Sequence, residues 1–215
     1  MRVLSIDTTG PACCAALVEF STGETVLGSI VEPMQRGHAE ALIPMLDRLV
    51  PDRAKALGQV DRIAVTIGPG SFTGLRVGIS AARGLALALG KPVVGVTVFD
   101  CIRASLPADA GPLAIALDAR RNEIYLQAFD VPGLDAGPQV LTVDDAAALL
   151  PPDVAIFGTA APLLGRDPGM DVLPCDPLAL ARVGARLDPA IAPPTPLYLR
   201  KPDAKPQAHA AVARA

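Results

Sequence analysis

Tryptophan is absent from this 215-residue chain, and aromatic residues make up only 3% of it. That removes the stacking platform on which the bases of a single-stranded nucleic acid are usually held. No basic excess compensates, because the net charge is −3, so the chain alone lacks the electrostatic footprint of a nucleic-acid binder. Arg120 with Arg121, and Arg200 with Lys201 and Lys205, are local exceptions, to be weighed as solvated charge or as contacts to a polyanion. Histidine is scarce, with His38 and His209 the only two, and Cys13, Cys14, Cys101 and Cys175 nowhere stand at C-x-x-C spacing. A Cys/His zinc site therefore lacks a ligand set, and metal chemistry would have to rest on carboxylates. The thiols suit buried positions in a reducing compartment. No apolar run reaches the about 18 residues of a membrane span, and no cleavable leader pattern opens the chain. The expectation is a cytoplasmic protein without a membrane partner.

What the chain does have is apolar bulk: 51% of its residues are hydrophobic, enough for a sizeable core. Val3 to Asp7, Cys13 to Phe20 and Glu24 to Val31 read as successive strands separated by turns at Gly10-Pro11 and Ser21 to Gly23. A helix follows from His38 to about Val50, with Leu42, Met45, Leu46 and Leu49 on one stripe and Pro44 as a possible kink. A strand at Asp61 to Ile67, a helix to Leu89 and a short strand at Pro92 to Val96 complete the first half. The order then begins again: Leu113 to Ala119 mirrors Val3 to Thr8, each an apolar strand that reaches an aspartate. Strands at Glu123 to Asp130 and Gln139 to Thr142, a helix at Asp144 to Leu150, a strand at Val154 to Phe157 and a helix at Pro177 to Leu187 follow. The stretch Ser105 to Pro112 has linker chemistry, which divides the chain into residues 1–103 and 104–215. The layout is α/β, two ribonuclease H-like βββαβα subdomains of the type shared by actin, sugar kinases and heat-shock ATPases. In that arrangement Asp7 and Asp118 face a nucleotide cleft and hold magnesium through water; as an alternative they are strand-end turn residues.

Gly68 to Arg76, GPGSFTGLR, joins a strand directly to a helix, where exposed N–H groups favour an anion. Spacing removes the two nucleotide motifs that would exploit this. Five residues after Gly68 stands Thr73 and no lysine follows, so it is not a P-loop; Gly68, Gly70 and Gly74 miss the dinucleotide fingerprint by one residue. The other reading is a tight turn with Ser71 or Thr73 capping the helix. Along that helix Leu75, Ile79, Ala82, Ala86 and Leu89 make a seam, and Gly74 and Gly78 allow close backbone approach. The seam packs either on the protein's own sheet or on a partner.

Taken together, LSIDTTGPACCAAL, RGHAEALIP, GPGSFTGLRVGISAARGLA, DARRNEIY and PLYLR resemble, in order and spacing over nearly the whole chain, the bacterial TsaB family, also called YeaZ. The resemblance implies a non-catalytic scaffold or dimerisation subunit required for N6-threonylcarbamoylation of adenosine 37 in tRNAs reading ANN codons. It implies as partners the catalytic paralogue TsaD, the ATPase TsaE, a second copy of the chain, and tRNA indirectly through the complex. It further implies no cofactor here, with ATP and metal on partner subunits. The family's catalytic metal depends on H-x-x-x-H, and four residues after His38 stands Leu42. The helical bundle implied with TsaD assigns partner binding to Leu42, Met45, Leu46, Leu49, Ser71, Phe72, Thr73, Gly74, Leu75, Gly78, Ile79 and Ala82. Aspartate at Leu75 or Ile79 would then abolish binding and spare the fold. Asp7, Thr8, Asp118, Arg120 and Gly158 would line a vestigial nucleotide cleft, its adenine glycine pair reduced to Gly158-Thr159-Ala160, where the Ala160 methyl blocks a base. The alternative function is an ATP-dependent small-molecule phosphotransferase of the same superfamily.

Overall fold

A computed structural model describes residues 1–51, 53–134, 136–168 and 174–200. Lys201, Lys205, His209 and the remainder of the tail lie outside the described residues. The first half builds β1 (Arg2–Asp7), β2 (Ala12–Phe20), β3 (Glu24–Pro33), α1 (His38–Arg48), α2 (Arg53–Gly58), β4 (Arg62–Thr66), α3 (Phe72–Leu89), β5 (Val93–Val96) and α4 (Val98–Ser105). The second builds β6 (Leu113–Arg120), β7 (Glu123–Phe129), β8 (Gln139–Thr142), α5 (Val143–Leu149), β9 (Ala155–Phe157), a 3₁₀ turn (Ala161–Leu164) and α6 (Pro177–Arg186).

The five-stranded sheet has the order β3-β2-β1-β4-β5 and the four-stranded sheet the order β8-β7-β6-β9. In each, the first strand pairs antiparallel with the second and parallel with the fourth. The duplicated layout is therefore present through the fourth strand of each half. There the halves diverge: where the first places the 18-residue α3, the second places a four-residue 3₁₀ turn. Two helices were not foreseen in the sequence, α2 and α4. The second has a capping signal, since Thr97 accepts the Asp100 N–H at 2.9 Å.

Alternation along the strands sends side chains to two cores. Leu4 and Ile6, with Leu17, Ile63 and Val65, face α1 and α3. Val3, Ala16, Val18, Val94 and Val96 face the opposite way, into a cluster formed by α4, α6 and Leu113, Ile115 and Leu117 of the second sheet. A third cluster lies under α5 on the far side of that sheet. The helix α6, which sequence order assigns to the second half, is thus seated on the first sheet. Gly184 permits this: a Cβ there would stand 2.3 Å from that of Ala64. Ser5 donates to the Pro177 carbonyl at 2.7 Å. Arg62 on β4 caps the end of α6 by donating to the carbonyls of Gly184, Ala185 and Leu187 at 2.9, 3.1 and 2.6 Å. A division at residue 103 therefore falls inside α4 and cuts through a shared core.

By length and mean hydropathy, 1.2, α3 would suffice to cross a bilayer. Its inner face is instead packed on the sheet, and Arg76 and Arg83 stand exposed on its outer side. After α6 an extended segment returns along the β5 edge, where Gly95 N–H donates to Ala192 at 2.9 Å and Leu197 N–H to Ile67 at 2.8 Å.

Candidate functional site

A cleft of about 510 Å³ opens between the ends of β1 and β6, lined among others by Thr9, Gly10, His38, Ser71, Asp118, Arg120, Tyr125 and Thr159. Asp7 is not on its wall. The residue is fully buried. Its Oδ1 accepts the Thr9 N–H at 2.9 Å, the Thr9 hydroxyl at 2.6 Å and the Thr66 hydroxyl at 2.6 Å. These bonds staple the turn after β1 to β4, and its Oδ2 is buried without a hydrogen-bond partner among the described residues. The expectation of a cleft-facing magnesium carboxylate at Asp7 is corrected: the three donors draw it inward.

The glycine loop has a comparable structural explanation. Thr8, also buried, donates its hydroxyl to the Gly74 carbonyl at 2.7 Å. A Cβ on Gly74 would lie 2.0 Å from the Thr8 oxygen, one on Gly78 2.6 Å from the Thr8 hydroxyl, and one on Gly70 2.7 Å from the Thr9 oxygen. The three glycines let α3 settle directly on the turn that Asp7 holds. Ser71 caps the helix, its hydroxyl accepting the Gly74 N–H at 3.3 Å.

Across the cleft, Asp118 does reach the wall. Its Oδ1 accepts the Arg120 N–H at 2.7 Å, its Oδ2 lies 3.1 Å from the Arg120 guanidinium, and its N–H donates to the Thr159 hydroxyl at 3.0 Å. Arg120, Arg121 and Asn122 all adopt left-handed backbone conformations, with φ of 64°, 58° and 61°. For the arginines this costs about 1 kcal/mol or more each. The turn is held from outside: Arg200 donates to the Arg120 carbonyl at 3.1 Å and pairs with Glu123, and Val143 donates to the Asn122 carbonyl at 3.1 Å. Gly158, φ 107°, allows its strand end to approach within 2.4 Å of a would-be Cβ at the Ala116 carbonyl. The Ala160 methyl is buried in the core under α5 and does not confront the cleft, contrary to the expected block on a base. His38 opens α1, half-buried, with Nε2 3.2 Å from the Gly10 carbonyl. Among the described residues no three His, Cys, Asp or Glu side chains are grouped to hold a metal. Burial, with Asp7 and Glu32 adding repulsion, pushes the Cys13 thiol up to about 11. Burial and then Asp7 raise Cys14 further, and a hydrogen bond with Cys101 followed by burial raises Cys175.

The partner stripe is also corrected. Leu42, Met45, Leu46 and Leu49 of the first helical segment, and Gly74, Leu75, Gly78, Ile79 and Ala82 of α3, are buried in the protein's own core. Aspartate at Leu75 or Ile79 would strike the fold itself. Ser71, Phe72 and Thr73 remain exposed. The outward residues are a different set: Ile43 on α1 is 47% exposed, Phe72 48% and Leu87 86%. The Arg76 guanidinium covers the Phe72 ring at 3.8 Å, and the Tyr198 ring lies 5.4 Å from it. Neither this stack nor Tyr125 and Thr159 in the cleft was anticipated, because they come from segments distant in sequence.

Two sheets duplicated in order, with a cleft where their first strands end, define an α/β protein of the actin, sugar kinase and ribonuclease H-like type. The family model for tRNA N6-adenosine threonylcarbamoyltransferase matches residues 25–158. An uncharacterized protein of Mycobacterium tuberculosis is 37% identical over 212 residues, 96% of this chain and 95% of that protein. The tRNA threonylcarbamoyladenosine biosynthesis protein TsaB of Haemophilus influenzae is 37% identical over 127 residues, 58% of this chain and 52% of that protein, so the match spans about half the length of that relative. The structure of YeaZ from Pseudomonas aeruginosa superposes with a TM-score of 0.70 at 28% identity, covering 92% of this chain and 99% of that one. The chain belongs to the TsaB (YeaZ) family of tRNA threonylcarbamoyladenosine biosynthesis proteins.

Proposed function

We propose that this chain is a non-catalytic docking subunit in the cytosol, required for N6-threonylcarbamoylation of adenosine 37 in tRNAs that read ANN codons. It acts by binding the catalytic paralogue TsaD. The observation that carries the reading is the set of exposed apolar side chains on α1 and α3: Ile43, Leu87, and Phe72, which is 48% exposed with Arg76 and Tyr198 beside its ring. Exposed Ser80, Gly84 and Ala88 lie on the same side of α3, and their small side chains let a second helix approach closely. A further copy of the chain competes for the same side chains. ATP and metal belong to TsaD and TsaE, and tRNA is reached through the assembly. The inward Asp7 and the missing second histidine after His38 both favour a scaffold over a phosphotransferase or a metal-dependent catalyst.

The test is Leu87→Asp with Ile43→Asp as a second variant, because both side chains are exposed and neither supports the core. Binding to purified TsaD, followed by calorimetry, is expected to weaken by about 100-fold or more, as when a central apolar anchor is lost, while the melting temperature holds. Wild-type affinity in both variants would refute the docking face. Binding of Mg-ATP by the isolated chain at micromolar affinity would instead support the phosphotransferase.

A further inference from the structure

The segment from Ala192 to Arg200 touches both surfaces described above. It is joined to the end of β4 where Leu197 N–H donates to Ile67 at 2.8 Å, and Arg83 of α3 donates to the Pro194 carbonyl at 2.9 Å. Tyr198 then lies against the Phe72 ring, at the start of the outward face of α3. Two residues later Arg200 holds the Arg120 carbonyl and Glu123, on either side of the left-handed turn at the cleft mouth. Two residue steps span at most about 7 Å. A tether this short cannot absorb a displacement at one end without passing it to the other.

We propose that this strap is a two-position coupling element linking the first turn of α3 to the arginine turn of the cleft. With the strap seated, Arg200 keeps residues 120–122 in their left-handed conformation. With Tyr198 lifted from Phe72, Arg200 loses its position and the turn relaxes. A protein docked over Phe72 favours the seated strap, in which Arg120 lies against Asp118; a ligand that moves Arg120 alters docking by the same factor, as linkage requires. This rests on the docking reading for the partner but not for the strap itself.

Hydrogen exchange read by mass spectrometry tests the two separately. In the chain alone, Phe72→Ala and Tyr198→Ala are expected to speed exchange in residues 118–126 by about threefold or more, since each removes a support of the seated strap. Arg200→Gln is expected to speed exchange in residues 68–76. Val26→Ala, at an exposed position of β3 away from the strap and the docking face, should change neither. Wild-type exchange at 118–126 in both ring variants overturns the coupling. Added TsaD is expected to slow both segments; slowing of 68–76 alone keeps the docking and overturns the coupling. No slowing at 68–76 refutes docking there, and the variants of the isolated chain then decide the strap.

Discussion

Replacing Gly74 by alanine should destabilise the protein, although alanine is the better helix former. Within α3 the substitution gains about 1 kcal/mol of helix propensity. Against this, the new methyl would sit 2.0 Å from the Thr8 carbonyl oxygen, a distance below the 3.0 Å that real Cβ atoms respect. The helix or the turn must retreat by about 1 Å. Overpacking of that kind costs about 1–3 kcal/mol, and the retreat also breaks the buried bond from the Thr8 hydroxyl to the Gly74 carbonyl, which adds about 1–3 kcal/mol. The net loss is about 1–5 kcal/mol; at the central value of about 3 kcal/mol the melting temperature drops by about 6–12 °C for a chain of this size. Gly84→Ala on the same helix is the control: nothing lies within 4 Å of its would-be Cβ, so the propensity gain survives and the melting temperature rises by about 2 °C. Far-UV circular dichroism suits the measurement because the chain has no tryptophan. Shifts of the same sign in the two variants, or a Gly74→Ala protein as stable as wild type, would refute the close docking of α3 on Thr8.

The Arg62→Ala variant, which uncaps α6 by removing three hydrogen bonds to its final carbonyls, should lose about 2–3 kcal/mol in urea denaturation. Glu24 is held below the usual carboxylate range by its hydrogen bonds to Arg182 at 2.7 and 2.8 Å. Its stabilisation is present above the ordinary carboxylate pKa and disappears as pH falls through the lowered one. Wild type should therefore exceed Glu24→Gln by no more than about 1 kcal/mol at pH 7, as for a partly exposed pair, and the gap should close in acid; a gap that persists at pH 2 contradicts the assignment. With Cys13 raised to about 11, Cys14 higher still and Cys175 raised well above the ordinary thiol value, iodoacetamide at pH 8 should leave these three thiols unmodified in the native protein and alkylate them in guanidinium, as peptide mapping would show.

Much of the fold was legible because turns and alternation are local signals. Gly10-Pro11 and Ser21 to Gly23 mark where β1, β2 and β3 reverse, and every strand inferred from the sequence is present within a few residues. The helix α4 escaped because Val98, Phe99, Cys101 and Ile102 in a run of eight residues read equally well as the continuation of a strand. The stripes through Leu42 and Leu75 were correctly seen as apolar faces. Periodicity reports that a face is covered, however, and does not report by what; here the cover is the chain's own sheet, and the exposed apolar side chains are Ile43 and Leu87 in between. Asp7 failed for a related reason. Its position at a strand end and the neighbouring Thr9 are sequence information, whereas the Thr66 hydroxyl that joins Thr9 at its carboxylate arrives only once β4 lies beside β1. The strap was equally hidden, since Tyr198 and Phe72 meet across more than half the chain.

The return of α6 to the first sheet has a consequence for how the chain leaves the ribosome. Ser5 bonds to Pro177 across 172 residues of sequence, and Val3, Ala16 and Val94 share their core with Leu180. One side of the first sheet can be closed by α1 and α3 as they emerge; the other, with α4 and β6 as its earlier partners, lacks its main cover until α6 has been made. Contacts of such long range are slow to form, and the exposed apolar surface in the interval is open to association with other chains. Synthesis of the second sheet is thus a waiting period for the first, and a nascent chain arrested before Pro177 should be the species that chaperones hold.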